Sequence, residues 1–359
     1  MGGDGASKRP NQLKRGAAAA VGFSMLALFI LMRLAGGREA WPSFARVNPI
    51  MLGICLGLMV LNWVFDSMRM VILVRSLGGR LSIWSGMRIS ILGAFVSNVT
   101  PFDSGGEPVQ AYLLMDKGIT VGQSSAVIAV KTIMNAFARM MLGLIIPGWM
   151  IVSQVQWRLP KGMDIALVVG LSLYFAVFAF FLFLIARPEK ISIVVVPALR
   201  NRFTLRFLKP ETVDDILQRI NHGLHEFRES LSIFIRTAKP ALAAVMGLSF
   251  ACWIITILIP AVLLTGLGMR APYAQVMGIA ILFYLASAYA PTPGSSGAAE
   301  LGFAALFSTI VPLNSLGVFV TLWRLITYWL TLGVGGILMA HGLPKRRSKG
   351  RRAKIEDNP

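Results

Sequence analysis

The sequence predicts an all-α polytopic membrane protein, with about six full transmembrane helices and two re-entrant, broken-helix hairpins in an inverted repeat. Hydrophobic residues make up 55% of the 359 residues and charged residues only 14%, against roughly 25% charged in soluble domains. Apolar runs of about 20 residues, the length of a membrane-spanning helix, recur from end to end, whereas a barrel would show short alternating segments. This composition excludes a soluble enzyme, a nucleic-acid-binding domain and a disordered chain.

Basic residues set the predicted orientation. Of the 35 lysines and arginines, 21 lie in the first 15 residues, in 187–239 and in the tail from Lys345. Because cytoplasmic loops are rich in basic residues, these segments and both termini are expected in the cytoplasm, and the number of crossings must be even. The first crossing is expected to be a retained helix and not a cleaved signal peptide. The six predicted crossings are 16–36, 50–73, 128–152, 164–187, 240–265 and 315–340.

The crossings are predicted to form one membrane domain, 16–343, between a basic N-terminus, 1–15, and a basic tail, 344–359. In the linker between its halves, apolar residues recur at steps of three and four from Ile216 onward. This spacing is typical of an amphipathic helix, which would lie on the bilayer surface or against the bundle. The first half, the cytoplasmic linker and the second half are predicted at 16–187, 188–239 and 240–343.

Two further apolar stretches, 83–127 and 273–312, start and finish on the same side in this topology. They are predicted to be hairpins of two half-helices, entered from the cytoplasm and from outside respectively. Proline removes a backbone donor and glycine frees the dihedral angles, so each helix opens at its break. A pair of tight loops at helix ends is the alternative. The residues predicted to form the breaks are Pro101, Gly105, Gly106, Pro293, Gly294 and Gly297.

The two breaks also resemble each other. Both read T-P-x-x-S-G, starting at Thr100 and at Thr292, and each is soon followed by a glutamate. The offset between the copies is 192 residues, and the spacing to the glutamate differs by one. Broken helices in the two halves of an inverted repeat are typical of transporter binding sites near the bilayer midplane.

Ionisable side chains inside the predicted crossings and hairpins define the candidate site, because each costs about 2.5–3.5 kcal/mol at the bilayer centre. Asp66 and Arg69 are three residues apart and are predicted to form a structural ion pair. The other charges either form a cavity that accepts a charged lipid headgroup, or fix the hairpins to the helices as buried ion pairs, and both roles are compatible. The residues predicted to bind substrate are Glu107, Lys131, Arg139, Glu300 and Arg324, with Ser104, Ser295 and Ser296 from the breaks.

Catalysis, metals and cofactors are not expected. The serines of the breaks have no histidine near them within the membrane, so a catalytic triad would lack its base. Cys55 and Cys252 lie in apolar runs, and the three histidines lack the further ligands that a metal site needs. No nucleotide-binding motif is present.

The breaks and the sequence that follows them resemble the two signatures of a known family. Residues 97–114 are similar to the first, a Pro/Gly-rich break before G-E-x-x-R-A-Y-L-L, with Gln110 in place of the arginine. Residues 291–300 are similar to the second, P-T-P-G-x-x-G-x-x-E. The family is the lysylphosphatidylglycerol synthase transmembrane, or flippase-like, family of bacterial and archaeal inner-membrane proteins. It includes the N-terminal flippase domain of the multiple peptide resistance factor.

The resemblance implies that the protein moves a lipid, commonly one with a modified headgroup, across the cytoplasmic membrane, and that Glu107 and Glu300 are the family's glutamates. The expected partners are anionic or headgroup-modified membrane lipids and, optionally, a lipid-modifying enzyme. The aminoacyl-transferase domain of the fused resistance factors is not found after Leu343, so the chain is not expected to synthesise lysyl lipid. The alternatives are a small-solute or ion transporter, and a non-transporting scaffold for a lipid-modifying enzyme.

Overall fold

A computed structural model describes residues 22, 24–26, 29, 47–154, 163–186, 210–270, 272–287 and 292–341. Within these ranges all regular secondary structure is helical. We number the long helices α1 to α10 in chain order. They are α1 Pro49–Ser76, α2 Ile83–Val99, α3 Gly106–Met115, α4 Val121–Val152, α5 Met163–Ala186, α6 Pro210–Arg236, α7 Lys239–Gly266, α8 Tyr273–Ala286, α9 Ala298–Phe307 and α10 Leu313–Ala340.

Four of the described helices, α1, α4, α7 and α10, are long and apolar enough to cross a membrane. They coincide with four of the six predicted crossings, and α5 is a helix at the place of a fifth. The remaining prediction, 16–36, lies outside the described residues except for five positions, which are helical. The predicted basic ends, 1–15 and 344–359, lie outside them as well.

The helix α6 lies within the predicted linker and has one apolar face, as the spacing of its apolar residues indicates. Phe234 on that face is fully buried and belongs to the core formed with α1 to α4. The Glu226 carboxylate of α6 also accepts a hydrogen bond of 3.1 Å from the backbone nitrogen of Gly122, in the first turn of α4. The helix therefore packs against the bundle.

The predicted boundary between the first hairpin and the next crossing, at 127/128, is wrong. The crossing helix α4 already begins at Val121, because Thr120 and Gln123 form a capping box at its N-terminus. Such a box satisfies backbone donors that would otherwise be left free at a helix start. The residues 121–127 therefore belong to the long helix and not to the hairpin.

The internal repeat extends far beyond the six-residue motif. Adding the offset of 192 to the bounds of α3, 106–115, gives 298–307, which are the bounds of α9. The same shift moves the start of α4 onto the start of α10, and it brings α1 and α2 within two residues of the starts of α7 and α8. The chain is thus built from two four-helix units, α1 to α4 and α7 to α10, and α5 and α6 connect them.

The two units pack together along α1 and α7, which are equivalent helices of the repeat. Each unit has an apolar core. The first includes Met70, Leu73 and Leu114, and the second is rich in aromatic residues such as Phe303 and Trp323. The break between α2 and α3 contacts the break between α8 and α9. The two breaks therefore meet between the units.

Candidate functional site

The two breaks have the same unusual backbone. In each, a proline opens a short 3-10 turn, Pro101–Asp103 and Pro293–Ser295. Phe102 and Gly294 occupy equivalent positions of the motif with φ of 57° and 58°, and Asp103 and Ser295 follow with 51° and 53°. A left-handed conformation is uncommon for residues other than glycine and costs about 1–3 kcal/mol. The shared conformation indicates that the sequence match is a structural repeat.

Glycines allow the breaks to approach their surroundings. A Cβ on Gly294 would lie 2.6 Å from the backbone oxygen of Asn98, at the end of α2, and 2.5 Å from the Tyr328 ring. A Cβ on Gly106 would lie 2.4 Å from the Ser97 hydroxyl. The second break can therefore reach the end of α2 only because position 294 has no side chain.

The two copies diverge at the last residue of the motif. Gly105 has φ of −85°, whereas Gly297 has φ of +85°. Glu107 is then the second residue of α3, and Glu300 is the third residue of α9. Because successive residues of a helix are rotated by about 100°, the two carboxylates point in different directions.

Glu300 is fully buried and holds the second break in place. Its carboxylate accepts hydrogen bonds from Arg324 Nε at 2.9 Å, from the Gly297 backbone nitrogen at 2.7 Å and from Ser24 Oγ at 2.6 Å. Arg324 also donates to the backbone oxygen of Gly294 at 3.3 Å. This carboxylate and this guanidinium therefore act as a buried ion pair that ties the break to α10.

A cavity of about 290 Å³ with several polar residues in its lining lies beside the first break, between α1, α2, α3, α4 and α10. Four charged side chains line it, namely Asp66, Arg69, Glu107 and Lys131. Asp66 forms ion pairs with both Arg69 and Lys131, and the contact to Lys131 Nζ measures 2.8 Å. The pair predicted from the spacing of Asp66 and Arg69 is thus present, and a second cation joins it.

Neutral side chains complete this cluster. Arg69 donates to Asn135 at 2.8 Å and to Ser249 at 3.0 Å. Lys131 donates to the side-chain oxygen of Gln110 at 3.0 Å. An arginine at position 110, as in the family signature, would add a third cation here, and glutamine supplies an acceptor instead. The cluster therefore keeps two cations on one carboxylate.

Arg69 is 4% exposed, and its Nε has no hydrogen-bond partner among the described residues. Leaving a buried donor unsatisfied costs about 1–3 kcal/mol, and more for a charged group. The cluster of Asp66, Arg69 and Lys131 therefore offers an unused cationic donor and has a net charge of one positive unit.

Comparison with known proteins identifies the family to which the chain belongs. The profile of the lysylphosphatidylglycerol synthase TM region matches residues 17–335 of the chain. The chain belongs to this family. It is 29% identical over 318 residues to a UPF0104 membrane protein of Archaeoglobus fulgidus, covering 89% of this chain and 94% of that one. A UPF0104 membrane protein of Pyrococcus horikoshii is 31% identical over 143 residues, 39% of this chain and 41% of that one. No solved structure gives a significant match.

The family signatures mark both breaks, but the structure separates the residues that were predicted to share one groove. Of the predicted binding residues, Glu107 and Lys131 line the cavity, whereas Arg139 and Arg324 do not. Arg324 is paired with Glu300, which lies in the first turn of α9 after the second break. Arg139 lies eight residues beyond Lys131, which is about 12 Å along a helix.

Arg139 is held by aromatic rings. Its guanidinium lies 4.4 Å from the centre of the Tyr174 ring and 5.0 Å from that of Trp253, and its Nε donates to the Tyr174 hydroxyl at 3.1 Å. Cation–π contacts of this kind stabilise a buried cation, and no described carboxylate forms an ion pair with Arg139. Arg139 thus packs α4 against α5 and α7.

The serines of the breaks also lie outside the lining of the cavity. Ser104 donates to the Pro101 oxygen at 2.9 Å, within its own turn. Ser296 is buried and donates to the Tyr328 hydroxyl at 3.5 Å, and the Ser295 nitrogen donates to the Thr292 oxygen. These residues stabilise the turns in the described structure.

Sequence reasoning assigned Asp66 and Arg69 only to a structural pair, although both line the cavity. It also left out Gln110 and Asn135 as site residues. A signal for them exists, because Asn62, Asp66 and Arg69 share one helix face, as do Lys131 and Asn135. Two polar stripes on neighbouring helices indicate a shared polar space.

Proposed function

We propose that this protein is a lipid translocator of the cytoplasmic membrane, which moves a polar or charged headgroup through a polar groove while the acyl chains stay in lipid. The observation that supports this most strongly is the charged cavity beside two broken helices that contact each other inside an apolar bundle. Non-helical backbone at membrane depth is tolerated only where protein or a water-filled cavity satisfies it. Paired broken helices are typical of transporters.

The proposed topology has six crossings with both termini in the cytoplasm. The pairs α2–α3 and α8–α9 are then re-entrant hairpins that enter from opposite faces and meet near the bilayer midplane. The common offset of about 192 residues between the two four-helix units and the packing of α1 on α7 support this inverted repeat. It places the N-termini of α3 and α9 at the meeting point, where their partial positive charge favours an anion.

The phosphate of a headgroup is the ligand that best fits the cluster. Lys131 and Arg69 supply charged donors, Asn135 supplies an amide, and Gly106 at the N-terminus of α3 also lines the cavity. Charge-assisted hydrogen bonds of this kind are about twice as strong as neutral ones. Lipids are therefore the proposed partners, with a lipid-modifying enzyme as an optional one, and the proposed activity needs no cofactor and no chemical step.

The test is a flipping assay in vesicles. Purified protein is reconstituted into phosphatidylcholine vesicles with a trace of acyl-chain-labelled phosphatidylglycerol, and the label in the outer leaflet is bleached from outside. We expect the protected fraction to fall in vesicles that contain the protein. Lys131→Gln should slow this exchange at least about tenfold, because a charged hydrogen bond is worth about 1.5–3 kcal/mol.

Glu229→Gln, on the exposed face of α6, is the matched control and should exchange lipid like the unmodified protein. Two results would contradict the proposal. Solute or ion flux without lipid exchange would indicate a small-solute transporter. Absence of any flux, with retained binding of a lipid-modifying enzyme, would indicate a scaffold.

A further inference from the structure

We infer that Glu107 is the specificity-determining residue of the cavity and that it selects a compact zwitterionic headgroup. In this arrangement the phosphate contacts Lys131 and Arg69, and the ammonium group contacts the Glu107 carboxylate. The inference rests on the proposed function and names its substrate class.

Glu107 is free to bind a ligand because other groups make the hydrogen bonds that hold the first break together. Thr100 Oγ1 accepts a hydrogen bond from the Gly105 backbone nitrogen at 3.0 Å, and Ser97 Oγ donates to the Asp103 oxygen at 2.8 Å. In the second break the glutamate itself accepts from the equivalent glycine nitrogen. In the first break, hydroxyl groups therefore make the hydrogen bonds that the carboxylate makes in the second break.

The side chain of Glu107 is exposed and lines the cavity. It has no hydrogen bond or ion pair with another described residue, whereas its counterpart Glu300 has three donors and no exposure. The shift of one position at the start of the helix produces this difference. A glutamate that served only to hold its break would be expected to keep the contacts of its counterpart.

The charged residues that line the cavity are of two kinds. Asp66, Arg69 and Lys131 form one paired cluster with a net charge of one positive unit. Glu107, on α3, adds a carboxylate that is not paired with another described residue, and Asp103 lies within electrostatic range of it as well as of Arg324 and Arg139. A headgroup that carries only a phosphate would contact the cluster and leave this carboxylate without a partner.

A headgroup with one phosphate and one amine offers a partner both to the cluster and to Glu107. Complementary charges of this kind discriminate between ligands. The cavity volume of about 290 Å³ is close to the lower limit of ligand sites, about 300 Å³. A cavity of this volume can hold a small headgroup such as phosphoethanolamine.

The experiment compares two tracers that differ in one charge. Acyl-chain-labelled phosphatidylethanolamine and its N-acetylated form, which keeps the phosphate but loses the ammonium, are measured separately in phosphatidylglycerol vesicles that contain the full chain, because the vesicle lipid then carries no amine. We expect the unmodified protein to move the amine-bearing tracer at least about tenfold faster, since a charged contact of this kind is worth about one order of magnitude or more.

Glu107→Gln should abolish this preference, because it removes the carboxylate that the ammonium group contacts. Glu107→Asp, which keeps the charge, should retain most of it, and Glu229→Gln should retain all of it. Native mass spectrometry of the purified variants with the same two lipids gives a readout of binding that does not depend on transport.

The failures can be told apart. If the unmodified protein moves no tracer, both the proposed function and the inference on Glu107 are wrong. If it moves both tracers at equal rates, or if Glu107→Gln keeps the preference, the inference on Glu107 is wrong while the translocator stands. A loss of thermal stability in Glu107→Gln, with unchanged preference, would assign the glutamate to a structural role.

Discussion

The two breaks of this protein share a backbone and differ in what their side chains do. The second break is largely buried. Its glutamate is paired with Arg324 and accepts a hydrogen bond from the backbone nitrogen of Gly297. The first break exposes Phe102 and Asp103, and its glutamate faces a cavity. A duplicated unit has thus acquired a fixed copy and an open copy. The comparison shows that a one-residue change of helix register is enough to move a carboxylate from a structural contact into a site.

The cores around the two breaks follow the same division. Behind the second break, Phe303 of α9 stacks on Trp323 with ring centres 3.8 Å apart and on Phe307 at 4.2 Å. Behind the first break, α3 is packed by aliphatic residues such as Leu113 and Leu114. Stacked aromatic pairs contribute about 0.5–1.5 kcal/mol beyond their buried area. The fixed copy is therefore also the more tightly packed one.

The largest contrast is expected between the two glutamates. Glu300→Gln removes one partner of a buried ion pair, which should lower the free energy of unfolding by about 3–5 kcal/mol. Glu107→Gln, at a side chain without a described partner, should change it by less than about 0.5 kcal/mol. Unfolding of both purified variants in detergent measures the difference. Equal losses of stability would show that the two copies are not divided into a fixed and an open one.

A second contrast concerns the equivalent positions 102 and 294. Gly294→Ala should destabilise by about 2–4 kcal/mol, because the new methyl group overlaps Asn98 and Tyr328 and the residue has a positive φ. Phe102→Gly should change stability by no more than about 1 kcal/mol, since relief of the left-handed strain is offset by the flexibility of glycine in the unfolded chain. The same unfolding measurement tests both. A tolerated Gly294→Ala would mean that the breaks can separate.

These contrasts also show what the sequence could predict. The four long apolar helices, the positions of the breaks and the Asp66–Arg69 pair depend on local spacing, and all can be found from composition, Pro/Gly content and helical periodicity. The start of α4 could also have been predicted, because Thr120 and Gln123 have the spacing of a capping box. Local order along the chain is therefore well encoded in patterns.

The sequence could not predict which partner each cation contacts. Lys131 and Arg139 share a face of α4, yet one contacts Asp66 and the other contacts Tyr174 and Trp253. Which partner each cation meets depends on the packing of α5 and α7, and helical spacing carries no information about that. The unequal roles of the glutamates did have a signal, since the spacing from motif to glutamate differs by one residue.

The smallest expected effect separates Arg139 from the cavity. Arg139→Gln removes the cation–π contacts and should lower the free energy of unfolding by about 1–2 kcal/mol. Its effect on the rate of lipid exchange should be smaller than that of Lys131→Gln, because Arg139 does not line the cavity. Parallel flipping assays on the two variants check this order. A larger loss of transport in Arg139→Gln would place the substrate path along α5 and α7 instead.

The central claim is that the cavity between α1, α2, α3, α4 and α10 receives a lipid headgroup. The most direct test is photo-crosslinking with a phospholipid that carries a photoreactive group on its headgroup, followed by mass spectrometry of the adducts. The account predicts adducts on lining residues such as Asn98, Glu107 and Thr132, and their loss in Lys131→Gln. Adducts confined to the outer faces of the helices, equal in both proteins, would contradict it.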